Sequence, residues 1–374
     1  MARLKLGMVG GGQGAFIGGV HRMAARLDGE WELVAGALSS DPARAKASAE
    51  ELNLARSYSD FNEMARAEAM REDGIDAVAI VTPNHMHAAP AIAFLNAGIN
   101  VICDKPLAAT MQDAEAIAAA ARASKARFIL THNYTGYPMV RQAREMIARG
   151  DLGKIRVVQA EYAQDWLTEP ASGKQAEWRV DPARSGAGGC VGDIGTHAFN
   201  LASYVLGEAP ARLAADLQAF VPGRQVDDNI HVMLRYGSGA RGMLWASQVA
   251  PGNENEIKIR VYGEKGGLEW AQSSANTLRY APFGAPVQTL TRGGAAASEA
   301  AARVSRIPGG HPEGYLEAFA TIYSEAAALI RADRAGIAPD GAVHAPDLED
   351  GLAGMRFIAA CIRSSKNDAA WEAL

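Results

Sequence analysis

The sequence predicts an α/β protein in two parts: a doubly wound parallel sheet at the N-terminus, then an α+β domain built on a large, mostly antiparallel sheet. Three observations carry this. Over roughly the first 130 residues, short apolar runs alternate with Ala-rich runs of helical spacing. After about residue 132 the pattern changes, and beyond Leu206 strand-like runs follow one another without helices between them. The length, 374 residues, is more than one ordinary core fills and is comfortable for two domains.

Strands are expected at Leu4–Val9, Glu32–Leu38, Ala77–Val81, Ile99–Cys103 and Phe128–Thr131. Helices are expected between them at Ala15–Leu27, Pro42–Leu52, Phe61–Met70, Ala88–Asn96 and Met111–Ser124. Apolar strands joined by helices signal a parallel sheet covered on both faces. Tyr137–Arg149 then reads as a helix closed by Gly150, and Ile155–Trp166 as a long strand. A glycine-rich loop, Ser185–Gly192, leads into a helix at Asp193–Leu206. Six strand runs follow: Ala211–Phe220, Asn229–Arg235, Arg241–Ser247, Glu256–Tyr262, Gly267–Trp270 and Thr277–Tyr280. Pro282–Gly310, rich in Gly, Ala and Thr, reads as a surface excursion. Helices at Pro312–Arg331 and Ala345–Ser364 close the chain. The expected division is a dinucleotide-binding domain over 1–132 and a substrate-binding and oligomerisation domain over 133–344. The helix 345–365 is expected to pack back on the first domain.

Composition excludes several classes. Apolar residues make up 48% and charged residues 21%, as in folded globular proteins. A net charge of −5 supplies no basic stripe for nucleic acid and no polybasic membrane patch. The three cysteines, Cys103, Cys190 and Cys361, form no CxxC pair, so neither a disulfide framework nor a zinc knuckle is indicated. The N-terminal apolar run is too short for a signal peptide, and no run of 18 apolar residues occurs. A cytoplasmic location is expected.

The segment Gly10-Gly11-Gly12-Gln13-Gly14-Ala15 ends the first strand and opens the first helix. Gly10, Gly12 and Ala15 fit the G-x-G-x-x-A form of the Rossmann dinucleotide fingerprint. Gly10 permits the tight turn, Gly12 lets backbone approach a pyrophosphate, and Ala15 keeps the helix close to the strand. Gln13 and Gly14 lie on the same turn and join the cofactor candidates. The helix N-terminus offers free N–H groups and partial positive charge to phosphates. An acid is expected after the second strand to hold ribose hydroxyls. Here the run is Leu38-Ser39-Ser40-Asp41-Pro42, with Ser39 in the acid's place. Loss of that carboxylate opens the site to the 2′-phosphate of NADP, which Arg44 could reach. Asp41 lies nearby and no basic cluster surrounds it, which favours NAD slightly. Ser39 serves equally as a plain turn residue.

With Thr82-Pro83-Asn84 and Asp104-Lys105-Pro106 both placed after parallel strands, and Asp193-Ile194-Gly195-Thr196-His197 further on, the sequence resembles the glucose–fructose oxidoreductase/inositol dehydrogenase (Gfo/Idh/MocA) family. The resemblance spans nearly the whole chain. It implies an NAD(P)-dependent oxidoreductase moving hydride between nicotinamide and a secondary hydroxyl carbon of a sugar, sugar derivative or polyol. It also implies that Lys105, Asp193 and His197 act on the substrate. Thr82, Pro83 and Asn84 become cofactor-contact candidates, with Ser40, His87, Asp104 and Lys105. Relatives form dimers and tetramers, and a homodimer or homotetramer through the C-terminal sheet is expected.

The residues themselves agree. Lys105 ends an apolar strand at the edge where doubly wound sheets bind ligands, and a partly desolvated lysine there can polarise a hydroxyl or carbonyl. Asp193 and His197 stand at i and i+4 on the expected helix and so share a face. An imidazole suits taking the hydroxyl proton as hydride leaves, and Asp193 can orient it or bond the sugar. His85 and His87 form an H-x-H pair at a helix start without acid or cysteine partners, so no metal site is expected. His87 reads as structural or cofactor-facing. Substrate-binding candidates beside Lys105, Asp193 and His197 are Asn133, Tyr134, Tyr137, Trp166, Trp178 and Arg179, with Lys174 and Arg184 in the same stretch. Aromatic faces stack on sugar C–H surfaces and arginine forks bind hydroxyls or anions. The two tryptophans serve equally as core filling. Relatives often carry an arginine shortly after the matching asparagine. This chain has Asn133-Tyr134-Thr135-Gly136-Tyr137 instead. Two other functions share these motifs: oxidoreductive glycoside cleavage, in which hydride is returned to the sugar, and a non-catalytic dinucleotide sensor.

Overall fold

A computed structural model describes residues 2–170 and 172–374, apart from the side chains of Lys174 and Gln175. It divides into two compact units, one of Met1–Asn133 with Phe319–Leu352, the other of Tyr134–Ala318 with Ala353–Leu374.

The first unit holds β1 (Leu4–Gly10), β2 (Trp31–Ala37), β3 (Arg56–Ser57), β4 (Ala77–Val81), β5 (Asn100–Cys103) and β6 (Phe128–Leu130). They form one parallel sheet in the order β3-β2-β1-β4-β5-β6. This is the dinucleotide-binding order, in which the chain reverses direction across the sheet between β1 and β4 and leaves a crevice beyond their carboxyl ends. All five residues of β4 are buried, because helices cover both faces. The connecting helices, Phe16–Leu27, Pro42–Glu51, Phe61–Ala69, Ala88–Asn96 and Met111–Ala123, fall where the periodicity puts them. Three begin on side-chain caps: Asp41, Asp60 and Thr110 accept the N–H of Arg44, Glu63 and Asp113. β3 is absent from the sequence expectation. It is two residues long and exists only by pairing with Ala35 and Gly36.

The tail differs from its expected assignment. The first unit is completed by Phe319–Leu352, and Ala353–Leu374 belongs to the second. Within the first unit, the Trp31 indole N–H donates to the Tyr323 carbonyl at 2.9 Å, and the Leu130 N–H to the Pro346 carbonyl at 2.9 Å. The helices span Tyr315–Ala335 and Leu348–Lys366.

The second unit carries β7 (Ile155–Ala163), β8 (Pro210–Gln218), β9 (Asn229–Tyr236), β10 (Arg241–Ser247), β11 (Glu256–Gly263), β12 (Gly266–Ala271), β13 (Thr277–Pro282), β14 (Gln288–Thr291) and β15 (Glu372–Ala373). The order is β14-β13-β12-β11-β7-β10-β9-β8-β15. β7 runs parallel to β10, and the other pairs are antiparallel. Alternation along β7 buries Val158, Ala160 and Tyr162 and leaves Val157 on the outer face. The helix Thr196–Leu206 lies on the inner side, where Phe199 stacks on Phe357 with ring centroids 4.5 Å apart.

Two expectations here need correction. β7 stops at Ala163, so Trp166 sits on a loop. Pro282–Gly310 is not a plain surface excursion. It holds β14, a short helix (Glu299–Arg303), and the fully buried Arg292, whose guanidinium reaches Glu313 at 2.9 Å and donates to the Ile307 carbonyl. A buried arginine between a threonine and two glycines gives no apolar period to read.

Candidate active site

The glycine turn lies at the carboxyl end of β1. Gly10, Gly11 and Gly14 have φ of +78°, +72° and +77°, a region open to glycine at little cost. A Cβ on Gly12 would lie 2.7 Å from the Leu38 carbonyl oxygen, so this residue lets the turn close against the end of β2. Helix-to-strand closeness comes from a pair outside the fingerprint: a Cβ on Gly18 would lie 2.5 Å from the Gly11 Cα. Ala15, beside this contact, is the N-cap. Unlike Asp41, Asp60 and Thr110, it offers no side-chain acceptor, and the first turn carries no acid. The helix therefore keeps its N-terminal N–H groups for another acceptor. A Cβ on Gly14 would meet no atom within 4 Å, so the turn is open on that side. These features fit a pyrophosphate. Gln13 does not face that role: its backbone N–H donates to Ser48 Oγ at 3.2 Å and its amide to Glu51 at 3.0 Å. After β2, Ser39 Oγ accepts the Asp41 N–H, and Asp41 caps the next helix with Ser40 and Arg44 exposed beside it.

Lys105 follows β5, half-buried, between two anchored neighbours. Before it, Asp104 accepts the Thr131 hydroxyl at 2.8 Å. Burial alone would raise the Asp104 pKa. The nearby His21, Lys105 and His87 outweigh this and hold it well below the usual carboxylate range. After it, the Pro106 carbonyl oxygen lies 2.9 Å from His87 Nδ1, while His87 Nε2 lies 2.8 Å from the carbonyl oxygen of Thr82. Burial lowers the His87 pKa. With both ring nitrogens on backbone carbonyls and no exposed surface, His87 braces the Thr82 loop rather than touching a ligand. Pro83 is half-buried and Asn84 buried in the same loop. Asn133, past β6, is buried, and its Nδ2 meets no acceptor among the described residues. Such a donor calls for an acceptor from a bound molecule. The preceding His132 was missed in the sequence. Burial and the Lys105 charge depress its pKa to about 3, so it stands neutral beside the lysine.

In the second unit, Asp193 sits in a π turn, Val191–Gly195, and His197 in the first turn of the α-helix that continues from it. The expected regular helix is thus interrupted at its functional end, as single π turns often are. His197 is 7% exposed. Its ring meets Tyr134 edge-on at 4.9 Å and Tyr162 at 6.0 Å. The Tyr134 and Tyr162 hydroxyls lie 2.6 Å apart, and Tyr162 donates on to Asn255 at 2.9 Å. Asp193 accepts from Gln248 Nε2 at 2.8 Å and lies 3.5 Å from Arg179 Nε. The Arg179 guanidinium is 4.4 Å from the Trp178 ring and 5.8 Å from that of Trp166. Trp166 is 42% exposed and Trp178 half-buried, so both leave ring surface for a ligand. The Lys174 side chain lies outside the described residues. Tyr137 is not a recognition residue: it is 2% exposed and packs between Tyr134 and Trp270. Tyr162, Gln248 and Asn255 were not foreseen. Only the inward phase of β7 hinted at Tyr162, and nothing local marks the other two.

Residues 4–132 match the model of the oxidoreductase family with an NAD-binding Rossmann fold, and residues 140–269 match that of the GFO/IDH/MocA C-terminal domain. An oxidoreductase structure from Sinorhizobium meliloti is 58% identical with both chains wholly covered and a TM-score of 0.91. The chain belongs to the Gfo/Idh/MocA oxidoreductase family. An inositol dehydrogenase homolog from Azotobacter vinelandii, solved with NADH and myo-inositol, is similar to this Gfo/Idh/MocA enzyme at 36% identity, with coverage of 100% and 98% and a TM-score of 0.93. Levoglucosan dehydrogenase from Pseudarthrobacter phenanthrenivorans is 30% identical over 75% of this chain and 77% of its own. This enzyme is therefore an NAD-binding oxidoreductase with sugar and polyol dehydrogenases among its relatives.

Proposed function

We propose that this enzyme oxidises a secondary hydroxyl carbon of a sugar, sugar derivative or polyol, with NAD favoured over NADP. The observation that carries the reading is His197, buried against Tyr134 and Tyr162 one turn after an Asp193 that Gln248 and Arg179 orient. A buried imidazole beside an oriented carboxylate suits proton abstraction from a hydroxyl. In the second unit, His197 takes the hydroxyl proton and Asp193 fixes the sugar; in the first, Lys105 polarises a hydroxyl or carbonyl oxygen. Asn133 donates to a ligand oxygen, and Trp166, Trp178 and Arg179 line the approach. Gly10, Gly12, Gly14 and Ala15 hold the pyrophosphate, while Ser39, Ser40, Thr82, Pro83 and Asn84 flank the rest of the dinucleotide. Bound NAD supplies the hydride acceptor; the protein supplies placement and electrostatics. The Asp41 carboxylate beside the ribose end disfavours the extra phosphate of NADP.

The outer face of the second sheet carries Val157, Met233, Met243 and Tyr262, each about 40–50% exposed, with Met233 opposite Met243 and Val157 opposite Tyr262. These two outward apolar pairs, with Arg241 and Gln159 between them, support self-association through this sheet as a homodimer or homotetramer.

The deciding experiment incubates the enzyme with myo-inositol, levoglucosan, other sugars and polyols, and aryl glycosides, with NAD and separately NADP. Reduced cofactor accumulating with a ketone product is the expected result. Alcohol released from a glycoside without net reduced cofactor replaces net oxidation by oxidoreductive cleavage. No turnover of any member, with NAD bound, overturns the catalytic reading.

A further inference from the structure

His21 stands on the helix that follows the glycine turn, and its side chain is fully buried. Its ring is fixed by edge-on contacts with Phe319 at 4.7 Å and Tyr323 at 5.8 Å. Nδ1 lies 2.7 Å from the Tyr323 hydroxyl, and Nε2 lies 3.7 Å from Asp104 Oδ1. Burial pushes the Tyr323 phenol well above its ordinary pKa, so it keeps its proton, and its hydroxyl meets Nδ1 either as donor or as acceptor. Nε2 is the ring nitrogen turned toward the Asp104 carboxylate. At 3.7 Å this contact is longer than a hydrogen bond and acts as a dipole aimed at a charge. Asp104 directly precedes Lys105, while the carbonyl of Pro106, directly after it, is held by His87. The lysine loop is thus gripped at both ends by buried imidazoles, one from each segment that flanks the dinucleotide crevice.

We propose that His21 is a positioning residue for Lys105, acting through Asp104 to lock the lysine loop to the glycine-turn helix. The role given to Lys105 rests on the proposed function; the contact between His21 and Asp104 does not. The groups facing Asp104 are His21, His87, Lys105, His132 and the Cys103 thiol, with the Thr131 hydroxyl and, behind His21, the Tyr323 phenol. Of these, His21 supplies the dipole that offsets the burial of the carboxylate from the helix side. Without it, the carboxylate becomes easier to protonate, and the loop loses one of its two anchors.

The test compares His21→Phe with His21→Gln in the full-length enzyme. Phe keeps the ring and removes both nitrogens. Gln keeps an amide N–H for Asp104 and a carbonyl for Tyr323. Asp104 is followed by carboxyl ¹³C NMR, assigned with Asp104→Asn. In the wild type and in His21→Gln, its signal is expected to stay flat from pH 4 to pH 8. In His21→Phe it is expected to titrate inside that window. With a polyol that the wild type oxidises, kcat is expected to fall about tenfold in His21→Phe with a new acid limb, to recover to within about threefold in His21→Gln, and NAD affinity to change less than threefold. A flat Asp104 signal in a folded His21→Phe enzyme overturns the proposal. So does loss of kcat equal in Phe and Gln. If His21→Phe does not fold, Tyr323→Phe replaces it, and an Asp104 signal and kcat both unchanged there overturn the proposal. Absence of any polyol oxidation by the wild type overturns the proposed function and leaves the NMR arm to decide the His21–Asp104 contact.

Discussion

The Asp227 carboxylate accepts the backbone N–H of Val191 at 2.7 Å, at the first residue of the π turn that carries Asp193. Its other oxygen accepts the Gly189 N–H at 2.8 Å, and its own carbonyl accepts the Cys190 N–H. A Cβ on Gly189 would lie 2.3 Å from that carbonyl oxygen, so glycine is required for the approach. Asp227 thus sets where the Asp193–His197 turn begins. Burial pushes its carboxyl up to about 6, against the two bonds that favour the ionised form. The folded state therefore holds this proton to higher pH than the unfolded chain, and this group makes the fold less stable as pH rises from about 4 to about 6. Asp227→Asn is expected to abolish that contribution to the slope of unfolding free energy against pH. It should also lower kcat about tenfold, because one amide oxygen cannot accept both N–H groups. Denaturant melts of both proteins across pH 4–8, with steady-state kinetics, check this.

His197→Ala removes the proposed base and leaves the glycine turn untouched. Turnover is expected to fall by about 10²–10⁴-fold while NADH affinity, read by fluorescence titration, stays within about threefold. Undiminished turnover would strip His197 of its role.

Gly18→Ala introduces a methyl against the Gly11 backbone, which cannot move aside as a side chain can. A stability loss of about 1–3 kcal/mol and a marked loss of dinucleotide affinity are expected, from chemical melts and NADH titration.

Ser39→Asp restores a carboxylate where ribose hydroxyls are expected. The ratio of kcat/KM for NAD over NADP should rise at least tenfold, chiefly through a loss with NADP. An unchanged ratio would place the ribose elsewhere.

Met233→Lys with Met243→Glu puts charge on the outward face of β9 and β10. Light scattering at micromolar concentration should move from an oligomer to a monomer, with circular dichroism unchanged.

Much of this was legible because it is local. The glycine turn, the parallel strands and the Asp193–His197 spacing each follow from neighbours within a few residues. What escaped depends on distant partners. β3 exists only beside β2, and Arg292 is buried only because Glu313 and the carbonyls after Val304 reach it. Gln248 matters because β10 delivers it to Asp193, and the sequence carries no sign of that meeting. Tyr137 misled because an aromatic beside an expected site looks like recognition, whereas its ring fills space behind Tyr134. The π turn likewise hides in a sequence whose spacing reads as an ordinary helix.

Phe319–Leu352 completes a sheet whose strands all precede residue 131. During synthesis the early strands must wait for Tyr323 and Pro346, more than two hundred residues further on, before Trp31, His21 and Leu130 find their partners. A nascent chain halted near residue 300 would expose that face to chaperones. Cutting the gene at residue 133 would yield a fragment that lacks its own last layer, so the two halves of this enzyme cannot be separated by scission at the obvious seam.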